Sequence, residues 1–467
     1  MSSFNVDVVV VGSGAGGSTV AGRLGQAGKR VMVVEAGPVR FGTPGLHARN
    51  LDVSEAGMLE YAKVVMNEWV FPCSSSTPVE GLPGFLVSHG VGGSFSLWCS
   101  NAPSPDVSEL PKWMDPAQWA EYFAEAARVM HVDPDIAKGG VRAERILAAT
   151  RAAVTGLPAG REVQPMPIAA RRVDGKLKYT SSDDLLAQAT DGVLPQVLAD
   201  HVVRQVLHVN GRASGVVAFP RQGGDPVVIH ADTVVIASGT LAAAQLIHAS
   251  GIDAGPALGR NLLDHPILST RVVLRPEILE DVPAHDPIFS IWVPHSADHP
   301  WQTEVFRFPQ TPAAGTRDED GADITTFVAM DENPDNRISF DSETKDAFGL
   351  PQVRVHLQHS LADTQRISEA LAEHYRVSAA VGDITRGANF MMYGVGGSAH
   401  LMGSCRMGPE NDGTSVVDRY GQLWNMGNVF VAGNAVLGSS NSSNPTFTLV
   451  AAALRTADRI LDLTQAL

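Results

Sequence analysis

Cysteine is scarce in this chain: Cys73, Cys99 and Cys405 are the three in 467 residues. They are scattered and odd in number, and none has the spacing of a disulfide framework or a zinc site. Basic residues are outnumbered, 35 Lys and Arg against 50 Asp and Glu, for a formal net charge of −15 at pH 7. That balance disfavours nucleic acid and anionic membranes as partners, since both need basic patches. No apolar run approaches the roughly 20 residues needed to span a bilayer. The opening MSSFNVDVVVVG lacks a basic region followed by an apolar stretch and a small-residue cleavage site, so no export signal is visible. No Gly-x-Ser-x-Gly elbow or metal-ligand cluster occurs, so no metal is expected. These absences lead to an expected cytoplasmic protein with a neutral, small-molecule substrate.

What is present describes an α/β protein rich in loops, 44% hydrophobic and 18% charged, with 45 Gly. Its length suits two to three domains, and no internal repeat is seen. VDVVVV at 6–11 is a short, β-branched apolar run, the mark of a strand buried on both faces. A Gly-rich turn follows, then a predicted helix over Gly17 to Ala27 and a second buried strand over Arg30 to Val34. This is half of a doubly wound unit. Residues 40–90 read as irregular. DPAQWAEYFAEAARVM at 115–130 predicts a helix capped by Asp115, with Trp119, Tyr122, Phe123, Ala126 and Met130 on one face. A second helix is predicted over Arg142 to Val154. Residues 201–236 read as a β-meander turning at Asn210-Gly211 and Gly223-Gly224. From Ile267 to Leu357 the pattern is strands broken by acidic loops, one of which, 312–323, is expected to be a mobile surface loop. A strand at 428–433 and a helix from Pro445 close the chain.

Gly12, Gly14 and Gly17 form GxGxxG directly after a strand and at the opening of a helix. The first allows the tight turn, the second lets main chain approach a pyrophosphate, and the third lets helix pack on strand. Glu35 ends the next strand, where a ribose-binding carboxylate belongs. The motif alone does not separate FAD from NAD.

GSAHLMGSCRMG at 397–408, SVVDRYGQLWNMGNVFVAGNA at 415–435 and SSNPTFTLVAAALRTADRI at 442–460 carry a further signal. So do VGGS at 91–94, ASGTLAAAQLIHASGI at 237–252 and LGRNLLDHP at 258–266. Together they resemble the glucose–methanol–choline (GMC) oxidoreductase family, whose His before a Gly-x-x-x-Met-Gly stretch and later Asn-Pro are here His400 and Asn444. VGGSFSLWCSNAP at 91–103, HPWQTEVFRF at 299–308 and NRISFDSETKDAFGLP at 336–351 are most similar to pyranose oxidases and bacterial glycoside oxidases.

The resemblance implies an FAD-dependent oxidation of a secondary alcohol on a pyranose or glycoside, at C2 or C3. The alternatives are a non-sugar alcohol or a flavin-containing hydroxynitrile lyase. His400 would be the base, a neutral imidazole suiting proton abstraction near pH 7, while the hydride goes to flavin N5. Asn444 would hydrogen-bond the substrate oxygen, cap the closing helix, and aim that helix's dipole at the flavin; the same residue also reads as a cap alone. Gly93, Ser94, Trp98, Cys99, Val203, Asn434, Pro445 and Thr446 would join Gly12, Gly14, Gly17 and Glu35 around FAD. Cys99 also reads as a small buried apolar residue. Leu97 stands where several relatives carry a flavin-linking His, so FAD is expected to be non-covalent. Glu304, with Gln302 and Arg307, falls where sugar oxidases turn polar side chains to substrate hydroxyls; the same residues also read as an exposed charged strand. Trp301 could stack on a ring or lie in the core. O2 or another acceptor would reoxidise the flavin. The implied architecture is α/β: a doubly wound, Rossmann-like FAD-binding domain from 1–110, 195–266 and 395–467. A substrate domain, an antiparallel sheet backed by helices, would come from 111–194 and 267–394.

Overall fold

A computed structural model describes residues 2–51, 79–85, 87–189, 192–284, 286–307, 320–384 and 390–465. Cys73, most of the 40–90 stretch and positions 312–319 of the expected loop lie outside these residues.

Val8, Val10, Val31, Val33, Val235 and Phe430 alternate in direction with Val9, Val11, Val34, Val234 and Ile236, as the two-residue period of strands requires. Both sets are buried, which places these strands in the middle of three layers. The sheet runs in the order Gln196–Leu198, Val31–Val34, Ser3–Val11, Val227–Ile236, Arg212–Pro220, His201–Val209. The first four of these strands are parallel and the last two antiparallel. A seventh strand, Val429–Val431, pairs in parallel with residues 234–236, beyond the stretch of the same strand that pairs with Arg212–Pro220. The helices Ala15–Gln26 and Thr446–Gln465 share a cluster with one face, and Thr240–Ala249 joins the cluster on the other.

The predicted elements recur with small shifts of boundary. The first helix is Ala15–Gln26, the second strand Val31–Val34, and the later helices Pro116–Val129 and Val141–Ala153. Asp115 caps its helix by accepting from the N–H of Ala117. Asn210 and Gly211 take positive φ, 49° and 74°, which makes the tight hairpin of the meander.

A second sheet is antiparallel throughout: Gly382–Asp383, Ile267–Leu274, Gly321–Val328, Trp301–Phe306, Ser290–Val293, Gln164–Pro165. One of its faces packs under the helices Val141–Ala153 and Leu361–Val381, through Ile146, Leu147, Ile291, Val305, Ile324, Val377 and Val381. The same face buries a polar cluster in which both ring nitrogens of His374 meet hydroxyls, of Thr270 and Thr326, at 2.8 and 2.9 Å. Trp301 also faces this side: it is core, and its Nε1 donates to Glu373. Leu361–Val381 is a helix the pattern reading did not pick out, although Ser360 and Asp363 form a reciprocal capping box at its start. The other face, with Ser269, Glu304, Phe306, Thr325 and Phe327, looks onto a cavity.

Candidate active site

The cavity, about 580 Å³, runs from the C-terminal ends of the parallel strands to the antiparallel sheet. This is where doubly wound sheets bind ligands. At the first end the sequence has removed side chains. Gly12 has φ of +99°, and a Cβ there would lie 2.5 Å from the carbonyl oxygen of Ala237. A Cβ on Gly17 would lie 2.0 Å from that of Gly12. Gly14 has no such neighbour nearer than 4.0 Å and lines the cavity with Ser13, Ala15 and Gly16. The helix Ala15–Gln26 therefore opens onto the cavity with no side-chain cap, an arrangement that receives a diphosphate. Glu35 is 7% exposed and lines the same wall. It accepts from Ser13 N–H, Ser13 Oγ and Gly37 N–H at 3.1, 2.6 and 3.0 Å, although burial raises its pKa. Ser88 Oγ, His89 Nε2, Ser238 Oγ and Asn434 Oδ1 belong to cavity-lining residues and are buried with no partner among the described residues. Buried polar atoms call for partners, so these atoms, the uncapped helix start and the missing Cβ atoms fit a dinucleotide such as FAD.

Of the other residues the sequence singles out, Gly93, Ser94, Leu97, Trp98, Cys99, Val203, Thr446, Glu304, His400 and Asn444 line this cavity. Gly17, Pro445, Gln302 and Arg307 do not. Gly17 is packed behind the turn, and Pro445 begins the closing helix, its carbonyl accepting from Leu449 N–H. Arg307 is half-buried just past the strand Trp301–Phe306. Gln302 is fully buried and reaches the site through its neighbours. Its Nε2 donates to Asn444 Oδ1 at 2.7 Å, and Trp292 Nε1 donates to its oxygen at 2.9 Å. The Asn444 oxygen expected to cap a helix thus accepts from a strand of the second sheet. Cys99 is half-buried, and burial pushes its thiol up.

Glu304 is not on an exposed strand: it is 2% exposed. Asn101 Nδ2 donates to its Oε2 at 2.7 Å, and the Asn444 side chain bonds it as well. Burial outweighs these bonds and raises its pKa to about 7.

His400 sits half-buried on the cavity wall, at the end of a loop that turns sharply at Ala399, φ +58°. The buried Asp264 holds this loop, accepting from Gly396 N–H at 2.8 Å and from Ser398 Oγ, while Ser398 Oγ accepts from His400 N–H. Phe327 packs beside the His400 ring, and His265 meets it edge-on. Burial, helped by His265, holds the His400 pKa well below the ordinary value, so its ring is neutral at pH 7. Sequence reasoning passed over His265, Asp264, Asn101 and Asn441. The Asp-His-Pro closing LGRNLLDHP and the Ser/Asn run at 439–444 were the available signals.

Among the described residues, no group of three His, Cys, Asp or Glu could hold a metal ion, and no helix is long and apolar enough to cross a membrane.

The chain is similar to known proteins over nearly its whole length. Family models described as GMC oxidoreductase match residues 109–267 and 332–453, and one described as FAD binding domain matches 7–57. A C-glycoside 3-oxidase of Microbacterium trichothecenolyticum is 31% identical, over 98% of this chain and 96% of its own. A pyranose 2-oxidase of Lyophyllum shimeji is 24% identical, over 98% and 92%. The solved structure of a formate oxidase shares the fold, with a TM-score of 0.75 at 13% identity and full coverage of both chains. A strand–turn–helix cradle for a dinucleotide, a neutral histidine across the same cavity, and a relative matched over nearly its whole length lead to one family. The chain belongs to the GMC oxidoreductases, as an FAD-dependent oxidoreductase acting on CH–OH groups.

Proposed function

We propose that the chain oxidises a secondary alcohol of a pyranose or glycoside to the ketone, with His400 as the base. The carrying observation is that His400, Asn444 and the buried Glu304 share one cavity with the dinucleotide cradle. FAD, when bound, supplies the hydride acceptor. His400 takes the hydroxyl proton: being neutral, it has an unprotonated nitrogen to receive it. Asn444 gives one amide hydrogen to Glu304 and turns the other to the substrate oxygen. Glu304 accepts from a second ring hydroxyl once ionised, and Gln302 braces Asn444 from behind. Gly12, Gly14 and Glu35 would hold the nucleotide, with Gly17 closing the turn from behind; Gly93, Ser94, Trp98, Cys99, Val203, Asn434 and Thr446 would surround the rest of it, and Pro445 would only start the closing helix. The positive end of the closing helix, where Asn444 and Thr446 line the cavity, would favour a negatively charged group there. The division into 1–110, 195–266 and 395–467 against 111–194 and 267–394 belongs to the same reading. Membership of the two large sheets supports it.

The names of the relatives support the sugar, C3 in one and C2 in the other. Anaerobic mixing with pyranoses, O- and C-glycosides, choline and simple alcohols tests it. Bleaching of the flavin band by sugars or glycosides alone is expected, and NMR of the product reads the carbon oxidised. Recovery of the band in air separates O2 from another acceptor. Bleaching by a non-sugar alcohol only would reject the sugar. Leu97, 2% exposed, offers no atom for a covalent link, so acid denaturation is expected to release all the flavin.

A further inference from the structure

Behind His400 stand two side chains that the proposed reaction does not use. His400 Nδ1 lies 3.1 Å from His265 Nδ1, and His265 Nε2 lies 2.9 Å from the side-chain oxygen of Asn441. The hydrogens along this chain are dictated from its far end. The Asn441 amide nitrogen faces the carbonyl oxygen of Ser439 at 2.7 Å and the sulfur of Met402 at 3.4 Å. A carbonyl oxygen can only accept, so the group facing it is the NH2, and the amide oxygen must face His265. That oxygen also only accepts, so His265 Nε2 carries a hydrogen. Burial lowers the His265 pKa to about 4, so the ring is neutral and its Nδ1 is bare. Two bare nitrogens would repel at this distance. The hydrogen between the rings therefore sits on His400 Nδ1, and His400 Nε2 has none.

We infer that Asn441 and His265 are positioning residues that fix the tautomer of His400, keeping its hydrogen on Nδ1 and leaving Nε2 as the nitrogen able to take a proton. Without such a partner a histidine ring exchanges between both tautomers, and only one of them presents a bare Nε2. Asn441 is itself held. Glu109, 2% exposed, accepts from Ser442 N–H, Ser443 N–H and Ser443 Oγ at 2.9, 2.8 and 2.8 Å, and its carbonyl accepts from Ser439 Oγ at 2.6 Å. The loop that sets the tautomer thus also delivers Asn444.

The tautomer follows from these contacts between two buried, neutral rings; its effect on rate rests on the proposed role of His400. Two-bond 15N–1H correlation NMR reads it on FAD-loaded, 15N-histidine-labelled protein near pH 8, with the His400 signals assigned by their loss in His400→Ala. Wild type is expected to show His400 protonated on Nδ1. In His265→Leu and Asn441→Leu that fixed state gives way to a mixture or to Nε2–H. Anaerobic flavin reduction then slows roughly 10-fold at unchanged flavin content. His265→Gln, whose amide oxygen accepts the same hydrogen, restores Nδ1–H and most of the rate. Asn441→Leu leaves both rings in place and carries the test alone if His265→Leu does not fold. A wild-type His400 protonated on Nε2, or an unchanged tautomer in the Leu variants, overturns the inference. A His400→Ala enzyme reduced as fast as wild type would instead remove His400 from the reaction while leaving the tautomer result intact.

Discussion

The two ends of the cavity are built from different parts of the polypeptide. At the nucleotide end the chain offers main chain: a bare helix start and glycines packed so closely that no Cβ fits at Gly12 or Gly17. At the other end it offers side chains, His400, Asn444 and Glu304, each backed by a second side chain, His265, Gln302 and Asn101. The first kind of site is specified by what is absent, and any added carbon damages it. The second is specified by which atoms face inward, and can lose its chemistry while keeping its shape.

Substitutions at the two ends should therefore fail differently. The largest expected effect on rate is at the reaction end. His400→Ala is expected to slow anaerobic flavin reduction about 10³-fold, roughly 4 kcal/mol, with flavin content unchanged in the absorbance spectrum. Loss of flavin in this variant would erase the contrast. Next comes Gly17→Val, whose Cβ collides with the Gly12 carbonyl. It is expected to cost about 3 kcal/mol in thermal unfolding and to yield flavin-poor protein. Flavin-replete Gly17→Val that reacts slowly would show that the ends are not separable.

The smallest effect is a change of pH dependence. Glu304, with its pKa raised to about 7, is protonated below that value. Wild-type kcat/KM for a sugar is expected to rise as pH passes through 7, when the carboxylate becomes able to accept from a hydroxyl. Glu304→Gln should lack that limb and be about 10-fold slower at pH 8. Stability runs the other way. A carboxyl whose folded pKa is raised stabilises the fold while protonated, and that contribution is lost as pH rises through 7. The Gln variant should therefore gain in Tm relative to wild type as pH rises from 4.5 to about 7, and hold that gain above it.

The nucleotide end was legible because its parts are neighbours in sequence. GxGxxG and Glu35 fall within one strand–turn–helix–strand unit, and local spacing carries them. The reaction end draws on residues 176 to 333 positions apart: Asn101 with Glu304, Glu109 with Ser442, His265 with Asn441. No period or spacing encodes such pairs. His400 and Asn444 were singled out through resemblance, whereas their supports were not. Glu304 could be named but not buried, because a strand's exposure depends on what covers it. The helix Leu361–Val381 is not legible although Ser360 and Asp363 announce it, because its buried face mixes Asp363, Glu373, His374 and Ser378 with Ile367, Ala370, Val377 and Val381 and so carries no clear apolar stripe.

Val429–Val431 fills a place in the parallel sheet beside residues 234–236, and Thr446–Gln465 then covers that sheet. Residues 429–465 therefore have to be made before the strand Ser3–Val11 acquires its permanent cover. Until then the Gly-rich turn rests on Ala237 but lacks Gly433, which lies against Gly16, so tight cofactor binding is expected only after that late segment has joined the sheet.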